Sequence, residues 1–218
     1  MLSRLLPPYV ESEEHVGYAT ADGLLPEEEA YVAHAVDQRR REYATVRRCA
    51  RTCLSRLGHP PVPLLVGHGG APAWPDGVRG SMTHCDGYAA AAVGTTRHLA
   101  GIGIDAEPDA PLPDGVLDVV ASASERARLA LLPDGPGSPS WDRLMFSAKE
   151  SVYKAWYPLV GAWLDHQDAD VVIHPAGVFT ATLRRDGLVV DGRPVSRLQG
   201  RWTREREVLV AAVVLLCE

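Results

Sequence analysis

Residues 141–159, WDRLMFSAKESVYKAWYPL, restrict how this chain can fold more than any other stretch. Ser138, Pro139 and Ser140 precede it, Asp142 falls in its first turn, and Pro158 stands where a helix must end. At about 100° per residue, Trp141, Met145, Ala148, Val152, Ala155, Trp156 and Leu159 form one apolar stripe, which must face a core. Phe146, Tyr153 and Tyr157 widen the covered arc, so that Glu150 and Lys154 lie on the far face between aromatic rings, with Lys149 at the edge of the stripe. Spacing alone would make Glu150 and Lys154 a surface ion pair worth a few tenths of a kcal/mol. The rings change that reading, because charges partly desolvated by aromatic surface usually meet a ligand.

A second helical pattern opens at Leu24-Leu25-Pro26-Glu27-Glu28-Glu29, with Pro at the first position and acids at the positive end of the dipole. It predicts one helix running to Leu57 and stopping at Gly58, with Val36, Tyr43, Val46, Ala50, Cys53, Leu54 and Leu57 on the core face. Arg39, Arg40, Arg47 and Arg51 fall on or beside that stripe. A core-facing Arg needs a fixed anion or a route to water along the helix, and four together point to an anion held against the helix.

Between the two helical patterns, 60–76 reads as successive turns. Ser81 to Val93 reads as a hairpin turning at Asp86-Gly87, with His84 at the end of one strand and a tightly packed Ala89 to Val93 as the other. Gly101 to Glu107 alternates Ile102, Ile104 and Ala106 on one face with Gly103, Asp105 and Glu107 on the other, so two carboxylates project side by side. The segment also matches G-x-G-x-x-A, but Pro108, Pro111 and Pro113 follow where a dinucleotide fingerprint needs a helix, which excludes it. Ser122 to Leu132 predicts a short helix, 133–140 a linker, and Val171 to Leu216 strands with turns at Asp186-Gly187 and Asp191-Gly192. Thr83 to Val93 and Thr203 to Val213 have equal length and both end Ala-Ala-Val, the trace that two duplicated α/β halves would leave.

A formal charge of −6 argues against wholesale attraction to nucleic acid or membranes. Cys49, Cys53, Cys85 and Cys217 show no Cys-x-x-Cys spacing and the eight histidines are scattered, so any metal should be bound by oxygen. The opening MLSRLLPPYVESEE lacks the apolar core of a signal peptide, and Val208 to Cys217 is too short to span a bilayer; the expectation is a cytoplasmic protein. Asp105, Glu107 and Glu150 suit Mg²⁺, and Lys149, Lys154, His84 and the arginines suit phosphates. Metal-assisted phosphoryl chemistry on a polyanion is the reading.

Arg47-Arg48-Cys49-Ala50-Arg51, Pro72-Ala73-Trp74-Pro75, Gly80-Ser81-Met82-Thr83-His84, Gly103-Ile104-Asp105-Ala106-Glu107 and Phe146 to Ala155 occur in that order. In this they resemble the 4′-phosphopantetheinyl transferases, of the surfactin-synthetase and enterobactin-synthetase class rather than the short trimeric synthases. The likeness extends from about Leu24 to Leu216 and is especially close to actinobacterial members. It implies a monomer of two similar α/β halves, residues 1–103 and 104–218, related by a pseudo-twofold axis, with coenzyme A in the cleft between them. Such an enzyme moves phosphopantetheine to a serine of an apo carrier protein of a fatty-acid, polyketide or nonribosomal peptide synthase and releases 3′,5′-ADP. By the same resemblance Asp105, Glu107 and Glu150 would bind Mg²⁺, Glu150 would be the base, and Lys154 would serve the leaving phosphate. Arg39, Arg47, Thr83, His84, Lys149 and Lys154 would contact coenzyme A. Two positions depart from the pattern: Gly69, beside His68, where relatives often carry Lys, and Phe146, where many carry Trp. The competing readings are a Mg²⁺-dependent phosphodiesterase or nuclease and a coenzyme-A-binding module without catalysis.

Overall fold

The computed structural model describes residues 1–17 and 20–217. The strands are β1 (Glu11–Val16), β2 (Val78–Cys85), β3 (Tyr88–Thr95), β4 (Leu99–Pro108), β5 (Ala169–His174), β6 (Val178–Leu183), β7 (Val189–Val190), β8 (Arg193–Pro194), β9 (Arg197–Glu205) and β10 (Val208–Leu216). Five helices accompany them: α1 (Pro26–Tyr31), α2 (Asp37–Arg56), α3 (Val116–Val120), α4 (Ala123–Leu129) and α5 (Trp141–Val160). The result is a mixed α/β architecture with antiparallel pairing throughout: β1-β3-β2 in one sheet and β4-β10-β9-β6-β5 in another.

Each sheet carries one long helix. Helix α2 lays Cys49, Ala50, Cys53 and Leu54 on Val78, Ala91 and Val93, where the alanines of β3 let it approach closely. Helix α5 lays Met145, Ala148, Val152 and Trp156 on Leu209, Ala211 and Val213, along the expected stripe. It passes close over β4 because a Cβ on Gly103 would run into the Ser151 carbonyl. The opposite faces of both sheets share a core of Ala90, Ala92, Ile102, Ile104, Ala106, Val210 and Ala212, closed by Leu2, Leu5 and Leu6.

The sheets do not join by a backbone ladder. β2 lies beside β4 and reaches it with alternate side chains: Arg79 donates to the Ala100 carbonyl at 3.2 Å, Ser81 Oγ accepts from Ile104 N at 3.0 Å, and Thr83 Oγ1 accepts from Ala106 N at 2.9 Å. Apart from Ala100 at a register shift, β4 therefore pairs with the second sheet along its length, and a boundary at 103/104 falls inside that strand.

Two predicted elements differ. Residues 26–56 form two helices rather than one. In a single helix Glu28 and Arg51 would lie roughly 35 Å apart. Instead α1 folds back, and the fully buried Glu28 binds Arg51 at 2.7 Å and accepts from Leu25 N and Leu64 N. Pro158 does not end α5 either; it sits in the last turn, and the helix closes at Gly161, whose φ of 70° is the left-handed conformation glycine adopts without strain.

Candidate active site

Between the halves lies a cleft of about 240 Å³ whose wall includes Arg39, Arg47 and His84 from the first half and Glu150, Tyr153, Lys154 and Tyr157 from α5. Arg47 is 4% exposed, and one hydrogen bond, Nε to the Leu64 carbonyl at 2.8 Å, secures it. Its guanidinium lies 3.1 Å over the Tyr43 ring, while its NH₂ groups find no hydrogen-bond acceptor among the described residues. Burial lowers its pKa to about 10, although Tyr43 and Glu28 oppose the shift. An anion in the cleft would satisfy this group.

Arg39 approaches His84 Nε2 at 3.0 Å, and Glu42, unremarked in the sequence, stands 3.3 Å from the same nitrogen. Burial, more than the nearby Arg39 and Lys154, lowers the His84 pKa against the pull of Glu42. The four arginines thus divide. Arg51 answers Glu28, Arg40 bonds the Val32 carbonyl that ends α1, and only Arg39 and Arg47 line the cleft.

On the other wall, Lys154 Nζ donates at 2.7 Å to Oδ1 of Asp105, which with Glu107 lies behind the residues that line the cleft. Asp105 Oδ2 is buried without a hydrogen-bond partner. Glu107 accepts from Arg143 at 3.0 Å. Burial first, then the charge of Asp105, raises the pKa of both Glu107 and Glu150. Arg143 went unnoticed in the sequence, although it stands seven residues before Glu150, on the same helix face as Glu150 and Lys154.

Two expected contacts lie elsewhere. Lys149 does not line the cleft; its ammonium is buried on Glu125 and on the carbonyls of His166 and Ala169. It belongs to the core stripe because Glu125, which also accepts from Ser122 N and Val171 N, provides the anion that burial demands. Thr83 is buried too, with its hydroxyl between β2 and β4 rather than on the cleft wall. Gly69 has a structural reason: any Cβ there would occupy the Tyr157 ring, whose hydroxyl lies 2.7 Å from His68 Nδ1. Phe146 packs at the edge of the second-half core.

Among the described residues, no three His, Cys, Asp or Glu side chains converge closely enough to form a closed cage. Mg²⁺ does not need one, since one or two carboxylates suffice when water and phosphate oxygens complete its shell. The bare Asp105 Oδ2 and the repulsion of Asp105 with Glu107 and with Glu150 fit such an ion.

A cleft with Arg39, Arg47 and His84 on one wall and Glu150 and Lys154 on the other has the charges to suit a phosphorylated substrate. Residues 27–94 match the family model of the 4′-phosphopantetheinyl transferase N-terminal domain, and residues 101–205 that of the 4′-phosphopantetheinyl transferase superfamily. The chain is 51% identical to 4′-phosphopantetheinyl transferase Svp of Streptomyces mobaraensis, over 99% of this chain and 89% of that protein. It is 44% identical to the transferase PptT of Mycobacterium tuberculosis, over 91% and 89%, and 43% identical to Npt of Nocardia iowensis, over 93% and 94%. The chain belongs to the 4′-phosphopantetheinyl transferase superfamily. Its activity is the transfer of 4′-phosphopantetheine from coenzyme A to carrier proteins.

Proposed function

We propose that Arg39, Arg47 and His84 hold the phosphates of coenzyme A, that Asp105, Glu107 and Glu150 hold Mg²⁺, and that Glu150 and Lys154 carry the proton chemistry. One observation carries the reading: first-half cations and the second-half Glu150–Lys154 pair line a single cavity. The carrier serine oxygen forms the new bond to phosphorus while the bond from that phosphorus to the 3′,5′-ADP oxygen breaks. Glu150, whose carboxylate makes no hydrogen bond to another described residue, is free to take the serine proton. Lys154, held by Asp105, neutralises or protonates the departing phosphate oxygen. Mg²⁺ would supply charge stabilisation to the phosphate oxygens. Tyr153 and Tyr157 line the same wall.

The reading further places a monomer in the cytoplasm, acting on carrier domains of fatty-acid, polyketide or nonribosomal peptide synthases, with its halves related by a pseudo-twofold axis. None of the described helices is long and apolar enough to cross a membrane, and none of the four cysteines is in a disulfide. The test is incubation with coenzyme A, Mg²⁺ and each type of apo carrier protein. The expected result is a Mg²⁺-dependent mass gain of one phosphopantetheine arm. Release of 3′,5′-ADP without that gain would mark hydrolysis, and coenzyme A binding with neither product a silent binding module; either would overturn the reading.

A further inference from the structure

Thr83 and Ser81 perform the same structural task, and Thr83 performs one more. Each hydroxyl accepts a hydrogen bond from a β4 backbone amide, Ser81 from Ile104 N and Thr83 from Ala106 N. A backbone N–H can only donate, so each hydroxyl keeps its own proton for another acceptor. For Thr83 that acceptor is Asp105 Oδ1, at 3.3 Å. Ser81 reaches no carboxylate. Because Lys154 also binds Oδ1, both donors to Asp105 converge on one oxygen, and buried Oδ2 is left bare. A buried carboxylate oxygen without a donor is costly unless a cation meets it.

We infer that Thr83 is a positioning residue, a first-half hydroxyl that orients the Asp105 carboxylate so that Oδ2 is presented to a divalent cation. The inference rests on Asp105 being a metal ligand. It assigns the Gly-Ser-Met-Thr-His segment two duties. His84 faces the cleft, while Thr83, one residue earlier on the alternating strand, faces the carboxylate strand. Movement between the halves would thereby disturb the metal ligand as well as the cleft.

Mn²⁺ binding to the full chain with coenzyme A present, followed by electron paramagnetic resonance, tests this without relying on turnover. Thr83→Val keeps the side-chain volume and removes both hydrogen bonds. It should bind Mn²⁺ roughly tenfold more weakly, as expected for loss of one hydrogen bond to a charged group. Thr83→Ser should restore binding. Ser81→Ala removes only a bond between the sheets, so it should lower the melting temperature while Mn²⁺ affinity stays at the wild-type level. If Thr83→Val lost melting temperature but kept wild-type Mn²⁺ affinity, the hydroxyl would serve only to join the sheets, and the inference would fail. Asp105→Asn separates this failure from that of the underlying reading. Lost Mn²⁺ binding in Asp105→Asn beside unchanged binding in Thr83→Val overturns only the role of Thr83, whereas unchanged binding in both overturns the Asp105 assignment as well. Should Thr83→Val fail to fold, Thr83→Cys, with a weak donor and similar bulk, takes its place in the same comparison.

Discussion

The two halves solve the same internal problem with the same parts. In the first, buried Glu28 of α1 binds Arg51 of α2, caps Leu25 N and accepts from Leu64 N. In the second, buried Glu125 of α4 binds Lys149 of α5, caps Ser122 N and accepts from Val171 N. The likeness continues into the strands. β1 places Glu13 opposite Ala91 of β3, as β4 places Asp105 opposite Ala211 of β10. Five residues after each brace cation, Arg56 binds Glu13 at 2.6 Å and Lys154 binds Asp105 at 2.7 Å. Their surroundings differ. Side-chain exposure is 35% and 45% for Glu13 and Arg56 but 6% and 28% for Asp105 and Lys154, because β1 is a sheet edge while β4 is flanked by β2. Thr52 and His15 stand where the second half has Glu150 and Glu107. The same acid–cation geometry can therefore serve as a solvated surface pair or as part of a reactive site, depending on what covers it.

That contrast breaks first, and most visibly, at the carboxylates. Glu150→Gln should lose about 10² to 10⁴ in turnover, the range for a general base, and Asp105→Asn should lose Mg²⁺-dependent transfer while remaining folded. Thr52→Val and Glu13→Gln, at the matching first-half positions, should leave turnover within about twofold, as surface changes do. Comparable losses in both halves, in the mass-gain assay, would erase the distinction.

Next come the braces. Removing one partner of a buried ion pair costs about 3–5 kcal/mol, so Lys149→Met should show that loss in denaturant unfolding. Arg51→Met should cost less, because Arg51 is 14% exposed against 2% for Lys149. The reverse ranking would show that burial does not set the value of the brace.

A smaller effect is expected at the arginines. Arg47→Ala should weaken coenzyme A binding roughly 10- to 100-fold, and Arg39→Ala, whose side chain is half exposed, by less. Repeating the titration with 3′-dephospho-coenzyme A identifies which phosphate each holds; equal weakening for both ligands places that arginine on the pyrophosphate. The smallest change should come from Arg56→Ala, within about 1 kcal/mol of stability and with unchanged turnover.

Much of this was readable along the chain, where short-range periodicity governs. The α5 stripe, the hairpin at Asp86-Gly87 and the β4 alternation depend on residues a few positions apart, and each is realised as read. The errors share a different cause. Apart from the stop at Pro158, which the nearby Gly161 displaces, the single helix from Leu24, the anion expected at Arg51, and Lys149 and Thr83 on the cleft wall turned on partners distant in sequence. Glu28 and Arg51 are 23 residues apart, and Glu125 and Lys149 are 24; nothing in helical spacing announces such a pair.

By itself the sequence determined which side chains share a face: the carboxylates of β4, Glu150 with Lys154 on α5, Arg39 with Arg47 on α2. Backbone geometry imposes those relations wherever the helix or strand forms. Only the tertiary structure decided which of the charges meet a protein partner and which are left facing the cleft. Arg51 and Lys149 are neutralised by buried glutamates, while Arg47 and Asp105 Oδ2 keep unanswered hydrogen-bonding capacity. The physical reason is that a buried charge takes its character from its nearest opposite charge, and here that neighbour is supplied by another element of the fold.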